Sequence, residues 1–292
     1  MRDYVIMSDS CCDLTAEEIT ELGLTILPLT YTMDGVSYKN DVFHPEMTNQ
    51  AFFQKIREGA DCSTSAVSVG EFHDAMRPIL ASGKDILCVS FSSALSTTYQ
   101  SACIAADDLR PEFPEARIIV IDSLSASRGQ GMLLWYTAQE KKKGKTLEEL
   151  ADYVRQTLPH QCHWFTVDDL NHLKRGGRVS AATALFGTML SIKPVMHTSP
   201  EGKLIPRGKA RGMKAALTEL VKTMDKLAIR PIREPVFICH ADCQDSVDYV
   251  KGLLYERFGV TDVRADYIGP VIGSHSGPGT VALFFMGETR DI

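Results

Sequence analysis

No apolar run in this chain of 292 residues approaches the ~20 needed to cross a bilayer as a helix, so no stable membrane insertion is expected. Positive charge is not in surplus. Thirty-one Lys and Arg stand against 37 Asp and Glu, for a net charge of −6. Nucleic-acid binding needs clustered cations, so no nucleic-acid partner is expected. The densest basic run, Lys141–Lys145, reads as a solvated helix end. Eight cysteines do not make a disulfide framework in a chain this long, and reduced thiols in the cytoplasm are the expectation. Cys239-His-Ala-Asp-Cys243 has no second paired cluster, so neither a metal site nor a cofactor is expected. The N-terminus turns polar after Val5-Ile-Met7 and does not read as a secretory leader. Three catalytic signatures are missing as well: the Gly-x-Ser-x-Gly elbow, the phosphate-binding Gly-x-x-x-x-Gly-Lys-Ser/Thr loop and the Gly-x-Gly-x-x-Gly fingerprint. Arg128-Gly-Gln-Gly131 is only a fragment of the last.

What is present is an alternation of elements. Apolar runs of strand length at Tyr4–Met7, Leu24–Leu29, Asp85–Ser90 and Arg117–Asp122 alternate with helical segments. Those helices are expected over Ala16–Leu22 (opened by a Thr15/Glu18 capping box), Pro45–Glu58, Thr98–Asp108 and Gly129–Lys143. Such alternation implies parallel βαβ units. The pattern then changes. A strand over His163–Val167, a hairpin turning at Ser199–Lys203, helices over Ala215–Leu227 and Ser246–Phe258, and strands over Val236–Cys239 and Val263–Ile268 read as α+β. The expected fold class is therefore α/β in two domains. The first, residues 1–160, is an α/β domain on a parallel sheet; the second, residues 161–292, is α+β.

Four turns are rich in hydroxyls: Ser8–Ser10, Ser63–Ser65, Ser90–Thr98 and Asp122–Ser127. Strand C-termini form the ligand crevice of open α/β sheets, and helix N-termini there favour anions. Each serine can equally be an N-cap. Asp168–Ser180 places Arg175 and Arg178 around two glycines, which suits either an anion site or a capped helix end. Ile268–Thr280 is rich in Gly and Pro, and its one ionisable side chain is His275. It reads as a stiffened loop holding an imidazole against the apolar run Val281–Met286. These residues point to anion binding without separating binding from turnover.

Together the segments resemble the DegV family of bacterial fatty-acid-binding proteins. The matching pieces are Ser8-Asp-Ser-Cys-Cys-Asp-Leu14, Ser63-Thr-Ser-Ala-Val-Ser68, Ser92–Ser101, Asp122-Ser123, Asp168-Asp-Leu170, Leu173-Lys-Arg-Gly-Gly-Arg-Val-Ser180, Ser191-Ile-Lys-Pro194 and Ile268–Gly279. They run through nearly the whole chain in the family's order. The resemblance implies a long-chain fatty acid, such as palmitate, as bound ligand in an apolar tunnel. It also implies a partner, an ATP-dependent fatty acid kinase, to which the carboxylate is presented for acyl-phosphate formation. On this sequence Thr64 is then the carboxylate donor, with Ser96 or Ser93 as second contact and Ser65 beside them. His275 assists the partner's phosphorylation step, and Arg175 and Arg178 serve the head group or the kinase interface. The chain itself is expected to be no enzyme. It departs from the family at Ala66-Val67, usually Gln-Pro, and at Thr97, usually Gly; a β-branched residue there restricts the backbone beside the head group.

Two other readings remain open. One is an acyl hydrolase using Ser96 or Ser93 with His275. The other is a regulatory module whose lipid occupancy alters the Arg175–Arg178 surface.

Overall fold

Four strands enriched in Ile, Leu and Val form a parallel sheet. They are β1 (Tyr4–Asp9), β2 (Leu24–Leu27), β6 (Asp85–Ser90) and β7 (Ile118–Asp122), in the order β2-β1-β6-β7. The computed structural model describes residues 2–180, 191–232 and 235–290. All six residues of β6 are buried, as expected for a strand covered on both faces. Helices α1 (Ala16–Leu22), α3 (Val69–Ala81), α4 (Thr98–Leu109), α5 (Arg128–Lys142) and α6 (Leu147–Thr157) cross between or cover these strands. The Thr15/Glu18 capping box is present: the Thr15 hydroxyl accepts from Glu18 N at 3.2 Å, and Glu18 accepts from Thr15 N at 3.0 Å.

A second sheet has six strands in the order β10-β9-β8-β13-β11-β12. They are β8 (Gln161–Thr166), β9 (Ile192–Thr198), β10 (Leu204–Arg211), β11 (Val236–His240), β12 (Val263–Tyr267) and β13 (Val281–Met286). Only β11 and β12 pair in parallel. The short helix α7 (Asn171–Arg175) follows β8, and helices α8 (Met213–Leu227) and α9 (Gln244–Phe258) pack on one another and on this sheet. The hairpin expected at Ser199–Lys203 joins β9 to β10. Its turn reaches the first sheet, where Ser92 Oγ donates to Gly202 O at 3.1 Å.

Three features differ from the sequence reading. A small antiparallel sheet, β4-β3-β5, is formed by β3 (Thr30–Met33), β4 (Val36–Lys39) and β5 (Cys62–Ser65). Its signal was Asp34-Gly35, both at positive φ (49° and 82°), the pattern of a tight hairpin between alternating strands. The helix placed over Pro45–Glu58 is α2, Asn49–Arg57, because Thr48 caps it by accepting from Ala51 N at 3.2 Å. The stretch Ile268–Thr280 is not a loop throughout, since Pro270–Ser276 is a helix, α10. Proline at the first helical position is preorganised for that turn. Gly273 serves packing, because a Cβ there would lie 2.8 Å from Phe53 and 2.9 Å from Phe52.

One apolar cluster runs through both large sheets, joining Met7, Cys88 and Phe91 to Phe165, Phe237 and Phe284. Helix α5 lies between the sheets at close range. A Cβ on Gly129 would meet Phe284 at 2.9 Å, and one on Gly131 would meet Cys12 O at 2.7 Å. These glycines permit close helix–sheet packing.

Candidate functional site

A cavity of about 430 Å³ lies where this shared core meets the small sheet and α10, within the range usual for small-molecule sites. Its walls are mostly apolar, including Leu29, Phe91, Phe165, Ile268, Val271 and Phe284. The polar lining includes Thr64, Ser93, Ser96, Thr97, Arg178 and His275.

Strand alternation sets which hydroxyl of Ser63-Thr-Ser65 enters the cavity. Thr64 lines it, while Ser63 and Ser65 are exposed on the opposite face of β5. Ser65 therefore does not reach the cavity, contrary to its expected place beside Thr64. Thr64 Oγ1 and His275 Nε2 lie 2.8 Å apart. The two residues come from β5 and the last turn of α10, so tertiary packing alone brings them together.

His275 is held by close packing on its other side. Its Nδ1 is buried without a hydrogen-bond partner and rests against Gly176, where a Cβ would collide with the ring. Burial, followed by the nearby Arg178 guanidinium, pushes the imidazole down to about pKa 4, so it is neutral at physiological pH. The N-terminal end of α10 is anchored by Asp13, which accepts from Gly269 N at 3.1 Å. Burial raises Asp13 to about 7.

The remaining expected residues divide. Ser96, half-buried before α4, accepts from Thr98 N at 3.2 Å and lies 2.9 Å from Thr98 Oγ1. Ser93 is exposed at the cavity edge, and its backbone N donates to the Asp122 carboxylate at 3.2 Å. Arg178 lines the cavity and donates through Nε to Leu95 O at 3.0 Å. Arg175 does not line it. It belongs to an outer cavity of about 430 Å³ with His172, Asp61, Cys62 and Ser274. Thr64, His275 and Arg178 line both spaces and so form a shared wall. Arg175 donates to His172 Nδ1 at 2.9 Å, through an imidazole whose pKa is lowered by burial and by Arg175. Among the described residues neither arginine is paired with a carboxylate. Guanidiniums so placed suit an anion.

Neither Ser93 nor Ser96 pairs with His275, and no carboxylate stands behind Nδ1. The nucleophile–base–acid arrangement of a serine hydrolase is not formed among the described residues. They also contain no cluster of three or more His, Cys, Asp or Glu suited to a metal ion, and no helix long and apolar enough to cross a membrane. The sequence reading gave Gly176 no role at the site, although its signal was there in the glycine pair between the arginines.

The fold and site define an α/β protein of two large sheets and one small one, enclosing a mostly apolar cavity with hydroxyls and an imidazole in its wall. The chain belongs to the DegV family. It matches the family model described as "Uncharacterised protein, DegV family" over residues 3–288. It is 40% identical over 291 residues to a DegV domain-containing protein of Clostridium perfringens, covering 100% of both chains. A solved structure described as fatty acid binding of a DegV family protein from Thermus thermophilus superposes with a TM-score of 0.88 at 32% identity, covering 98% of this chain and 100% of that one. A DegV lipid-binding protein from Thermotoga maritima gives 0.84 at 27% identity, covering 99% and 100%.

Proposed function

We propose that this protein binds a long-chain fatty acid in the apolar cavity and presents its carboxylate at Thr64 to an ATP-dependent fatty acid kinase, as a non-catalytic lipid carrier in the cytoplasm. The observation that carries this reading is the wall shared by two cavities. On one side lie aromatic and aliphatic side chains; on the other lie Arg175 and His172; Thr64, His275 and Arg178 stand between. In this reading residues 1–160 supply the hydroxyls, and residues 161–292, as a second domain, supply the arginines and the imidazole.

The energetics favour a lipid. Each buried methylene is worth about 0.8 kcal/mol, so a palmitoyl chain gains on the order of 10 kcal/mol before the costs of association. The polar groups then need only orient the head. A carboxylate at Thr64 accepts that hydroxyl's one hydrogen bond, which leaves Thr64 Oγ1 to accept from His275 Nε2–H. A neutral imidazole suits this role, because it donates through Nε2 and leaves Nδ1 bare. His275 thereby holds Thr64 in its donating orientation and faces the outer cavity, where the kinase delivers the phosphoryl group.

Mass spectrometry of denatured purified protein tests the ligand class. A fatty acid of about C14–C18 is expected, lost in Thr64→Val. Protein that carries no lipid and takes up no added palmitate overturns the reading. With a DegV-associated kinase and ATP, His275→Ala should retain palmitate and lose acyl-phosphate formation. Emptying of the pocket by that substitution would instead make His275 chiefly a binding residue.

A further inference from the structure

Ser276 lines the apolar cavity, is 6% exposed, and its Oγ has no hydrogen-bond partner. That combination is costly, because a buried hydroxyl left unpaired loses its water without recompense. Serine on a helix usually escapes by donating to the carbonyl four residues back. Ser274, two positions earlier on α10, does so, reaching Pro270 O at 2.7 Å. Ser276 does not. Its backbone carbonyl is in use, since Thr280 Oγ1 donates to it at 2.9 Å and to Gly277 O at 3.0 Å. Gly277 follows at φ 74° and lies tight against the His172 ring. The main chain at Ser276 is therefore fixed from both sides while its hydroxyl stays uncommitted.

We propose that Ser276 is a further ligand-binding residue, whose Oγ–H, turned about χ1 from its closed-off position into the cavity, donates to the carboxylate of the bound fatty acid beside Thr64. The inference rests on the reading of the cavity given above. Position favours the carboxylate over the acyl chain. Ser276 directly follows His275, and adjacent Cα atoms lie about 3.8 Å apart, so both residues stand at the Thr64 end of the cavity. A carboxylate offers about four acceptor positions on two oxygens, and Thr64 fills one. Ser276 adds a neutral donor from α10. This gives α10 two tasks at consecutive positions: His275 orients Thr64, and Ser276 contacts the ligand.

The test compares delipidated full-length wild type, Ser276→Ala and Ser276→Cys. Affinities for palmitate and for hexadecanol, which has the same chain without the carboxylate, are measured beside the melting temperature of unloaded protein. Both variants should weaken palmitate about tenfold, change hexadecanol by less than about twofold, and leave the unloaded melting temperature equal or higher. The cysteine variant leaves no void and carries only a weak S–H donor, so its loss separates the hydroxyl's hydrogen bond from the effect of an emptied space. Unchanged palmitate affinity would mean that water alone satisfies Ser276 and would overturn the proposal. Equal weakening of both ligands, or a lowered melting temperature, would assign Ser276 a packing role and overturn it too. Wild type that takes up neither ligand defeats the fatty-acid reading itself, and this inference with it. Palmitate uptake by wild type with unchanged variants defeats only the inference.

Discussion

Two adjacent parallel strands, β1 and β6, end in hydroxyl-rich turns, and the protein uses them in opposite ways. After β1 every group is committed. Asp9 is fully buried and accepts from Cys11 N, Phe91 N, Ser90 Oγ and Gln130 Nε2. Ser8 donates to Val89 O, and Ser10 Oγ accepts from Leu29 N. Burial raises the Asp9 pKa against the pull of these donors. After β6, Ser93 and Thr97 are exposed and Ser96 is half-buried at the cavity. At the end of β7, Asp122 takes the backbone N–H groups of Ser93 and Leu124 and leaves the Ser93 hydroxyl alone. Similar composition thus makes a lock at one strand end and, at the next, an open, hydroxyl-bearing turn at the cavity. The deciding element is whether a buried carboxylate consumes the donors.

The largest effect should come from breaking the lock. Asp9→Ala strips an acceptor from four donors and should cost about 3–5 kcal/mol, read from urea unfolding. A loss below about 1 kcal/mol would mean that the turn is not a lock. Gly176→Ala attacks the open side instead. The added methyl drives His275 off its seat, so acyl-phosphate formation should fall by on the order of tenfold or more. Palmitate affinity should change little; loss of binding with full phosphorylation would reverse the roles assigned here.

The pH dependence follows from His275. Its folded pKa, about 4, lies below the ordinary 6.5, so the unfolded chain takes up the proton first. Stability from this group is complete above pH 6.5 and is lost as pH falls toward 4. His275→Gln should therefore gain on wild type progressively across that window and not above it. A difference that stays flat from pH 7 to 4.5 in urea titrations would contradict the buried neutral imidazole. The smallest effect belongs to Ser65→Ala, which should change stability by less than about 0.5 kcal/mol and leave palmitate binding unaltered. A measurable loss of lipid would put Ser65 back at the site.

Much of this was legible in the sequence because the signals are local. The Thr15/Glu18 box, the β9–β10 hairpin and the β1, β6 and β7 runs each declare themselves within a few residues. The small β4-β3-β5 sheet was missed because its strands are four residues each and partly polar. Helix α10 was read as loop because glycine and proline are loop signals, whereas here they serve a helix start and tight packing against Phe52 and Phe53.

By itself the sequence determined which residues can occupy strands and helices, and which segments carry hydroxyls, guanidiniums and the imidazole. Only tertiary structure decided how these are shared out. The apolar run of β13 looks uniform, yet Ala282 and Phe284 face the cavity while Val281, Leu283 and Phe285 fill the separate core under α8 and α9. Thr64 and His275 lie 211 positions apart, and nothing near either one names its partner. The physical reason is range. Backbone periodicity records the faces of one element, whereas a site is made where faces of several elements meet and leave a polar group without a mate.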